Sequence, residues 1–327
     1  MEVQDQPHTD AQWIETFKRF IQPDWHELVA GEWATKLNTG AWSTNAMRGW
    51  FLQLYPFIHS FPKFLAEALI KAEDEYSRSF LIDNIRVEKA HAEHWIWMGE
   101  GFGIPRHEMM ALAEGDRPLL RDVQSLTDWL WYINAKGSLA EAVAATSFAV
   151  EGATGDLTRT LLEGFEAYGS REGVNMNPRT TKWLRNHAKY DDHHPRIALE
   201  IVARYATTER ARMKVMTAAR RSLQLLNLAL LTSSRAYSGD ATSTAYPRDA
   251  TSTTSTPVSI LRERRSADRR QTQANIAFPD RRIVDRRSGT AVSTMPRHEI
   301  RTSTPEAFSV VQNQVRAHRT NNGHARV

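Results

Sequence analysis

Through the first 232 residues, apolar side chains recur at the three- and four-residue spacing of helices, and no stretch alternates convincingly as a strand would. Trp13, Ile14, Phe17 and Ile21 form one stripe and predict a helix over 10–21, followed by a second over 25–37. A long helix is expected from residue 43 onward, carrying Met47, Trp50, Phe51, Leu54, Ile58 and Phe61; Pro56 and Pro62 predict a kink or break in it. Further helices are expected over 73–98, stopped by the Gly-rich GEGFG, and over 106–113 and 118–133. Ser138 and Glu141 read as a capping box opening a helix to Val150, and another covers 157–168. Asn177-Pro178 predicts a capped helix running to Tyr205, and a last helix covers 209–231. The fold class is therefore all-α, a single domain of seven to ten helices over 10–232.

Residues 233–327 are a different material. All ten Trp lie between Trp13 and Trp183, and all nine Lys lie before residue 215. After residue 232 there are sixteen Arg against eight acidic residues, so the tail carries about +8 and the domain about −4. Ser, Thr and Pro dominate this tail, which predicts disorder because too little apolar surface is buried to offset ordering entropy. Its repeated Asp-Arg-Arg, at 268, 280 and 285, is the feature that would contact an anionic partner such as nucleic acid or phospholipid, although the interspersed Asp weakens it. The chain has no cysteine, which excludes disulfides, thiolate metal sites and cysteine nucleophiles. The opening residues are polar and acidic, unlike a signal peptide, and the greasiest stretch, 223–231, is too short to span a bilayer. The expected location is the cytoplasm.

Three clusters could carry chemistry. His187, Asp191 and His194 sit at i, i+4 and i+7, so at about 100° per residue their directions fall within roughly 60° of one another. A polar surface with a chance His pair is the plain alternative, but Trp183, Leu184, Ile197 and Ile201 on the same stretch ask for burial. Glu88 and His91, at i and i+3, have the spacing of helix-bundle di-iron sites, a spacing also common on solvated faces. His94 rotates off that face. Glu151 ends a run of Ala, Val, Thr and Phe, and a buried carboxylate there needs a partner or a metal; otherwise it faces solvent beside Gly152. Together these are three imidazoles and three carboxylates from separate helices, the ligand types and number that two divalent irons need with positions left open. Asn84, Tyr190 and Asp192 are candidate supporting groups. His59, Gln53 and Tyr55 could line a cavity, while Arg48, Arg86 and Lys89 could anchor a substrate carboxylate or simply sit at the surface.

From about Trp13 to Leu231 the chain resembles the heme-oxygenase-like di-iron oxidases, the superfamily that also holds thiaminase II and pyrroloquinoline-quinone synthase. WLRNHAKYDDHHPRIALEI, from Trp183, is similar to that family's metal-binding helix, FAVEGATG to its Glu-bearing helix, and Glu88 to its first metal glutamate. His91 corresponds to a ligand three residues later in some members; others place it further along, where this chain has Trp95 and Met98, and His94 is the fallback. The resemblance implies a helical bundle of about seven or more helices, Fe(II), two per chain, and O2 activation. It implies oxidation of a small organic molecule by N-oxygenation, oxidative C–C cleavage or desaturation in a biosynthetic pathway. The ligands would be Glu88, His91, Glu151, His187, Asp191 and His194, with Glu151 bridging. Thiaminase-type hydrolysis lacks its cysteine here. A mononuclear or cofactor-free oxidase, and a non-enzymatic binding protein working through its tail, are the competing expectations. The partners expected are the substrate and O2, with an external electron donor, a homodimer and an anionic contact for the tail as further options.

Overall fold

Ser43 and Asp74 each turn a side-chain oxygen onto a backbone N–H in the first turn of the helix that follows, and two long helices begin there. The computed structural model of the chain describes residues 10–189 and 193–239, which lie in one compact unit. In order the helices are α1 (Asp10–Ala30), α2 (Glu32–Asn38), α3 (Thr44–Leu69), α4 (Glu75–Gly101), α5 (Arg106–Glu114), α6 (Arg121–Lys136) and α7 (Leu139–Val143). A π-helical segment, Ala144–Gly152, continues α7 into α8 (Ala153–Glu166), and a short 3-10 turn follows at Ala167–Ser170. The series ends with α9 (Lys182–Lys189), α10 (His193–Tyr205) and α11 (Glu209–Arg235). No strand occurs among the described residues.

Several boundaries differ from the sequence expectation, each for a local reason. The expected break near residue 21 falls instead at Gly31, because Pro23 is carried within α1. α3 runs unbroken through Pro56 and Pro62, held on its buried face by Trp50, Phe51, Leu54, Phe57, Phe61 and Phe64. The capping box at Ser138 and Glu141 forms as expected. It opens one long column over 139–166, where two separate helices were expected, because the π segment ending at Gly152 runs directly into α8 at Ala153. Asn177 does cap, its Oδ1 accepting from the backbone N–H of Arg179 and Thr180, but the turn it makes delays α9 to Lys182.

α3 and α4 pack side by side, and α11 lies across α3, α6, α1 and the π segment. α10 closes on the π segment and α7, and α9 packs on α8 and α4. The π segment is thus surrounded, and eight of its nine residues are buried. Phe17, Trp33, Phe51, Phe64, Trp95, Phe102 and Phe165 fill the core. Each such side chain contributes on the order of 1.5–3 kcal/mol by leaving water. At Gly164 a Cβ would come within 2.5 Å of the Asn38 Cα, so the close approach of α8 to α2 requires glycine.

α11 extends four residues beyond its expected end. Ser233 and Ser234 look like the start of a polar tail, yet both are buried: Ser233 Oγ donates to the Leu230 carbonyl, and Ser234 Oγ accepts from the Trp33 indole at 2.9 Å. Beyond them Gln53 Nε2 donates to the Tyr237 hydroxyl at 3.2 Å. The helical domain therefore continues past the boundary expected at residue 232. The Arg-rich repeats and most of the tail, from residue 240, lie outside the described residues. No described helix is long and apolar enough to cross a membrane.

Candidate metal centre

Glu88 and His91 face inward from α4, one turn apart, and both are buried. His91 Nδ1 lies 2.9 Å from Glu88 Oε1. The His187 ring, from α9, meets the His91 ring with centroids 4.2 Å apart. One ligand atom from each of Glu88, His91 and His187 lies within 4.8 Å of the other two, the one such group of three found among the described residues. Two donors on one divalent ion, with bonds of about 2.1 Å, are at most about 4.2 Å apart, so the three donors stand close to the spacing a shared ion requires. His187 Nδ1 lies 2.9 Å from the Trp183 carbonyl, which fixes the tautomer and leaves Nε2 as the donor nitrogen.

Glu151 and His194 form a second pair beside these three. Glu151 stands at the end of the π segment, which winds more widely than an α-helix and is a geometry common at functional sites. Its Oε1 lies 3.2 Å from His194 Nδ1, and its Oε2 accepts from Asn84 Nδ2 at 2.7 Å. Phe80 packs edge-on against the His194 ring. Gly152 follows Glu151 because Trp25 and Pro195 press on this point; a Cβ there would be 2.9 Å from Trp25. Asp191, together with Tyr190 and Asp192, falls between α9 and α10 in residues 190–192, outside the described residues.

The electrostatics are those of a dry interior. Burial pushes the Glu88 carboxyl up to about 7, offset in part by His187 and His194. Glu151 is also raised by burial, against the hydrogen bond from His194. Burial depresses His91 to about 4 and His187 to about 3, so both imidazoles are neutral at physiological pH. His194 is raised, first by its hydrogen bond to Glu151. Neutral imidazoles and carboxylates are the donor set that non-haem iron favours. Collecting this many ionisable groups away from water costs free energy unless something pairs them. The buried Asn84 Oδ1 also accepts no hydrogen bond. The donor set of Glu88, His91 and His187 fits a divalent metal, with the Glu151–His194 pair beside it.

Other candidates fall elsewhere. His94 is only part-buried and faces Asn186 and Trp97, so His91 is the α4 histidine that joins the cluster. Gln53 bridges the Leu120 N–H and Tyr237 as a structural tie, and Arg48 donates to the Phe102 carbonyl. His59 packs near Tyr55 with its pKa lowered by burial. Arg86 pairs with Asp83 at the surface, and Lys89 is exposed. Sequence reasoning missed the role of Trp183, whose ring lies on His187 with centroids 4.0 Å apart. The signal available was its position one helical turn before that histidine.

Two spaces lie near the cluster without being lined by its side chains. A pocket of about 480 Å³ is walled by Ile21, Trp25, Phe148, Pro195 and Leu199, with Lys18 and Arg196 also on its lining. It includes Gly152 and Pro195, the chain neighbours of Glu151 and His194. A second cavity of only about 30 Å³ lies among Trp50, Trp95, Trp183, Thr154 and Leu184.

These features define a helical bundle with a buried nitrogen and carboxylate cluster, and solved structures share its fold. They include a TenA homologue from Pseudomonas syringae pv. tomato, with 24% identity, a TM-score of 0.61, and coverage of 72% of this chain and 99% of that one. A domain of unknown function with a heme-oxygenase-like fold from Shewanella denitrificans has 17% identity and a TM-score of 0.57, covering 68% of this chain and 93% of that one. A TenA homologue from Pyrococcus furiosus has 14% identity and a TM-score of 0.53, covering 68% and 99%. The fold is thus heme-oxygenase-like. Residues 48–227 match the family of iron-containing redox enzymes, and the chain belongs to that family. None of the curated proteins compared with it is similar in sequence.

Proposed function

We propose that this chain is an O2-dependent, non-haem di-iron oxidase acting on a small organic molecule. The observation that carries this reading is the convergence of Glu88, His91 and His187 within 4.8 Å in a buried site, with Glu151 and His194 alongside. Glu88, His91 and His187 would hold one iron; Glu151, His194 and Asp191 would serve the second, with Glu151 able to bridge. Iron there would supply the electrons that reduce O2 and the oxidising power that attacks substrate.

The chain's own residues set the conditions. Trp183, through its carbonyl, keeps the His187 lone pair on Nε2. Asn84 holds one oxygen of Glu151 and leaves the other to His194. The contact between Glu151 Oε1 and His194 Nδ1 can hold one proton between them, which leaves His194 Nε2 as a donor nitrogen. The inner Trp-lined cavity, about 30 Å³, is too small for an organic substrate. The substrate is therefore assigned to the 480 Å³ pocket, its apolar body against Trp25, Phe148 and Leu199. This differs from an approach through the Trp-rich interior.

A cysteine-based hydrolase is incompatible with a chain that has no cysteine. Oxygen uptake tests the proposal. Protein loaded anaerobically with Fe(II) should consume O2 on mixing, whereas metal-free protein and a His187→Ala variant should not. Uptake by metal-free protein would favour a cofactor-free oxidase instead.

A further inference from the structure

The metal-facing histidine is the inner end of an unbroken line of tryptophans. The His187 ring lies 4.0 Å from Trp183, centroid to centroid, Trp183 lies 4.8 Å from Trp95, Trp95 lies 5.3 Å from Trp50, and Trp50 lies 4.8 Å from Trp33. The Trp42 indole N–H then donates to the Trp33 carbonyl at 3.1 Å. Trp42 is itself buried but lies one side chain from solvent, with the ammonium of the part-exposed Lys36 4.8 Å above its ring. Three helix pairs are crossed, and every step is edge-on, tilted or hydrogen-bonded contact. Tryptophan is, with tyrosine, the side chain most easily oxidised by one electron, and the phenylalanines that branch from this line are not.

Packing alone gives a poor account of the choice of tryptophan. The indole N–H groups of Trp50 and Trp183 are buried with no hydrogen-bond acceptor, a state that costs free energy and that phenylalanine would avoid. Trp13 is the other buried indole of this kind; it lies off the line, and there Arg212 stacks over its ring.

We propose that Trp183, Trp95, Trp50, Trp33 and Trp42 form a relay that drains stranded oxidising equivalents from the metal centre to the surface when O2 reacts without substrate. The inference rests on the oxidase reading above. In each event Trp183 would give up one electron toward His187, each indole is refilled by its outer neighbour, and Trp42 is refilled by a small one-electron reductant such as ascorbate, which is thereby oxidised. No bond is broken. The N–H protons of Trp50 and Trp183 stay in place because no base accepts them, so electrons alone move.

The test is peptide mapping of oxidised tryptophan after Fe(II)-loaded full-length protein is exposed to O2 without substrate or reductant. Iron content is measured on the same samples. In the parent, oxidation should collect at Trp42 and Trp33, and ascorbate should suppress it. In Trp50→Phe, which loses no hydrogen bond, Trp42 oxidation should disappear while Trp95, Trp183 and His187 oxidation rises several-fold. Trp95→Phe should confine damage to Trp183 and His187, and Trp13→Phe should behave as the parent. Iron-replete parent and Trp50→Phe giving the same damage map would overturn the relay alone. A parent that binds no iron would overturn the metal centre, and the relay with it.

Discussion

The Nδ1 of His187 lies 2.9 Å from the carbonyl oxygen of Trp183, one turn earlier on the same helix. The carbonyl can only accept, so Nδ1 carries the proton and Nε2 keeps its lone pair for a metal. Replacing His187 by Ala should therefore abolish stabilisation by Fe(II) while leaving the helical circular dichroism of the metal-free protein in place. A saturating metal, at about a hundred times its Kd, stabilises a fold by about 2.7 kcal/mol. Thermal melts with and without Fe(II) should show an upward shift in the parent and none in the variant; equal shifts would remove His187 from the site.

Metal uptake should depend on pH through Glu88. Its carboxyl is pushed up to about 7, while His91 and His187 are held down to about 4 and 3. Above pH 7 all three are in ligand form. Between about pH 5 and 7 the metal must displace one proton, from Glu88, so affinity of this site falls about tenfold per unit of acidification. Titrations across that range should give a slope near one; a slope near zero would contradict the buried carboxyl.

Stability of the metal-free protein carries the opposing signs. The depressed histidines favour proton uptake by the unfolded chain below about 6.5, so acidification destabilises the fold. The raised Glu88 works the other way, its contribution being lost as pH rises from 4.5 to 7. Four depressed histidines, His91, His187, His94 and His59, against the raised carboxyls of Glu88 and Glu151 predict a net loss between about pH 6.5 and 4.5, measurable by urea unfolding. A curve that rises on acidification in that window would be the contrary result.

Asn84 should matter for stability as well as for the site. Asn84→Leu keeps the shape but removes the amide that donates to Glu151 Oε2, leaving a buried carboxyl less satisfied. A cost of about 1–3 kcal/mol is expected, with weaker retention of a second metal. Unfolding curves superimposed on the parent's would exclude the support assigned to Asn84.

The end of the helical domain can be tested by truncation. Stopping after Leu231 removes Ser234, which accepts from Trp33, and Tyr237, which binds Gln53. Stopping after Gly239 keeps both. The shorter protein should melt well below the longer one, and equal melting temperatures would place the boundary where the sequence pattern puts it.

Helical periodicity made the all-α architecture readable, because bundle helices advertise one buried stripe each. What it hid was the π segment: an apolar run such as AATSFAV has no polar face to mark its winding, and the wider turn becomes visible only where Glu151 must meet Asn84 and His194. The α11 end was hidden for the opposite reason. Serines read as polar are buried there by partners, Trp33 among them, that lie about two hundred residues away in sequence.

The site was more legible than the boundaries. Helical spacing and apolar neighbours made it legible that Glu88, Glu151, His187 and His194 turn inward together; metal binding by them remains the proposal. His91 was separable from His94 only by packing, since both lie within two turns of Glu88 and only α9 shows which ring is covered. The tryptophans were read as core, which they are; their order in space could not be inferred from their order in the chain.

The central claim is two irons held by residues of α4, the π segment, α9 and α10. Anaerobic Fe(II) loading, removal of free metal and iron analysis per chain measure it directly. Two irons per chain in the parent, falling when His194 or Glu151 is replaced by Ala, is the predicted result. One iron per chain in the parent, unchanged by either substitution, or none at all, would contradict it.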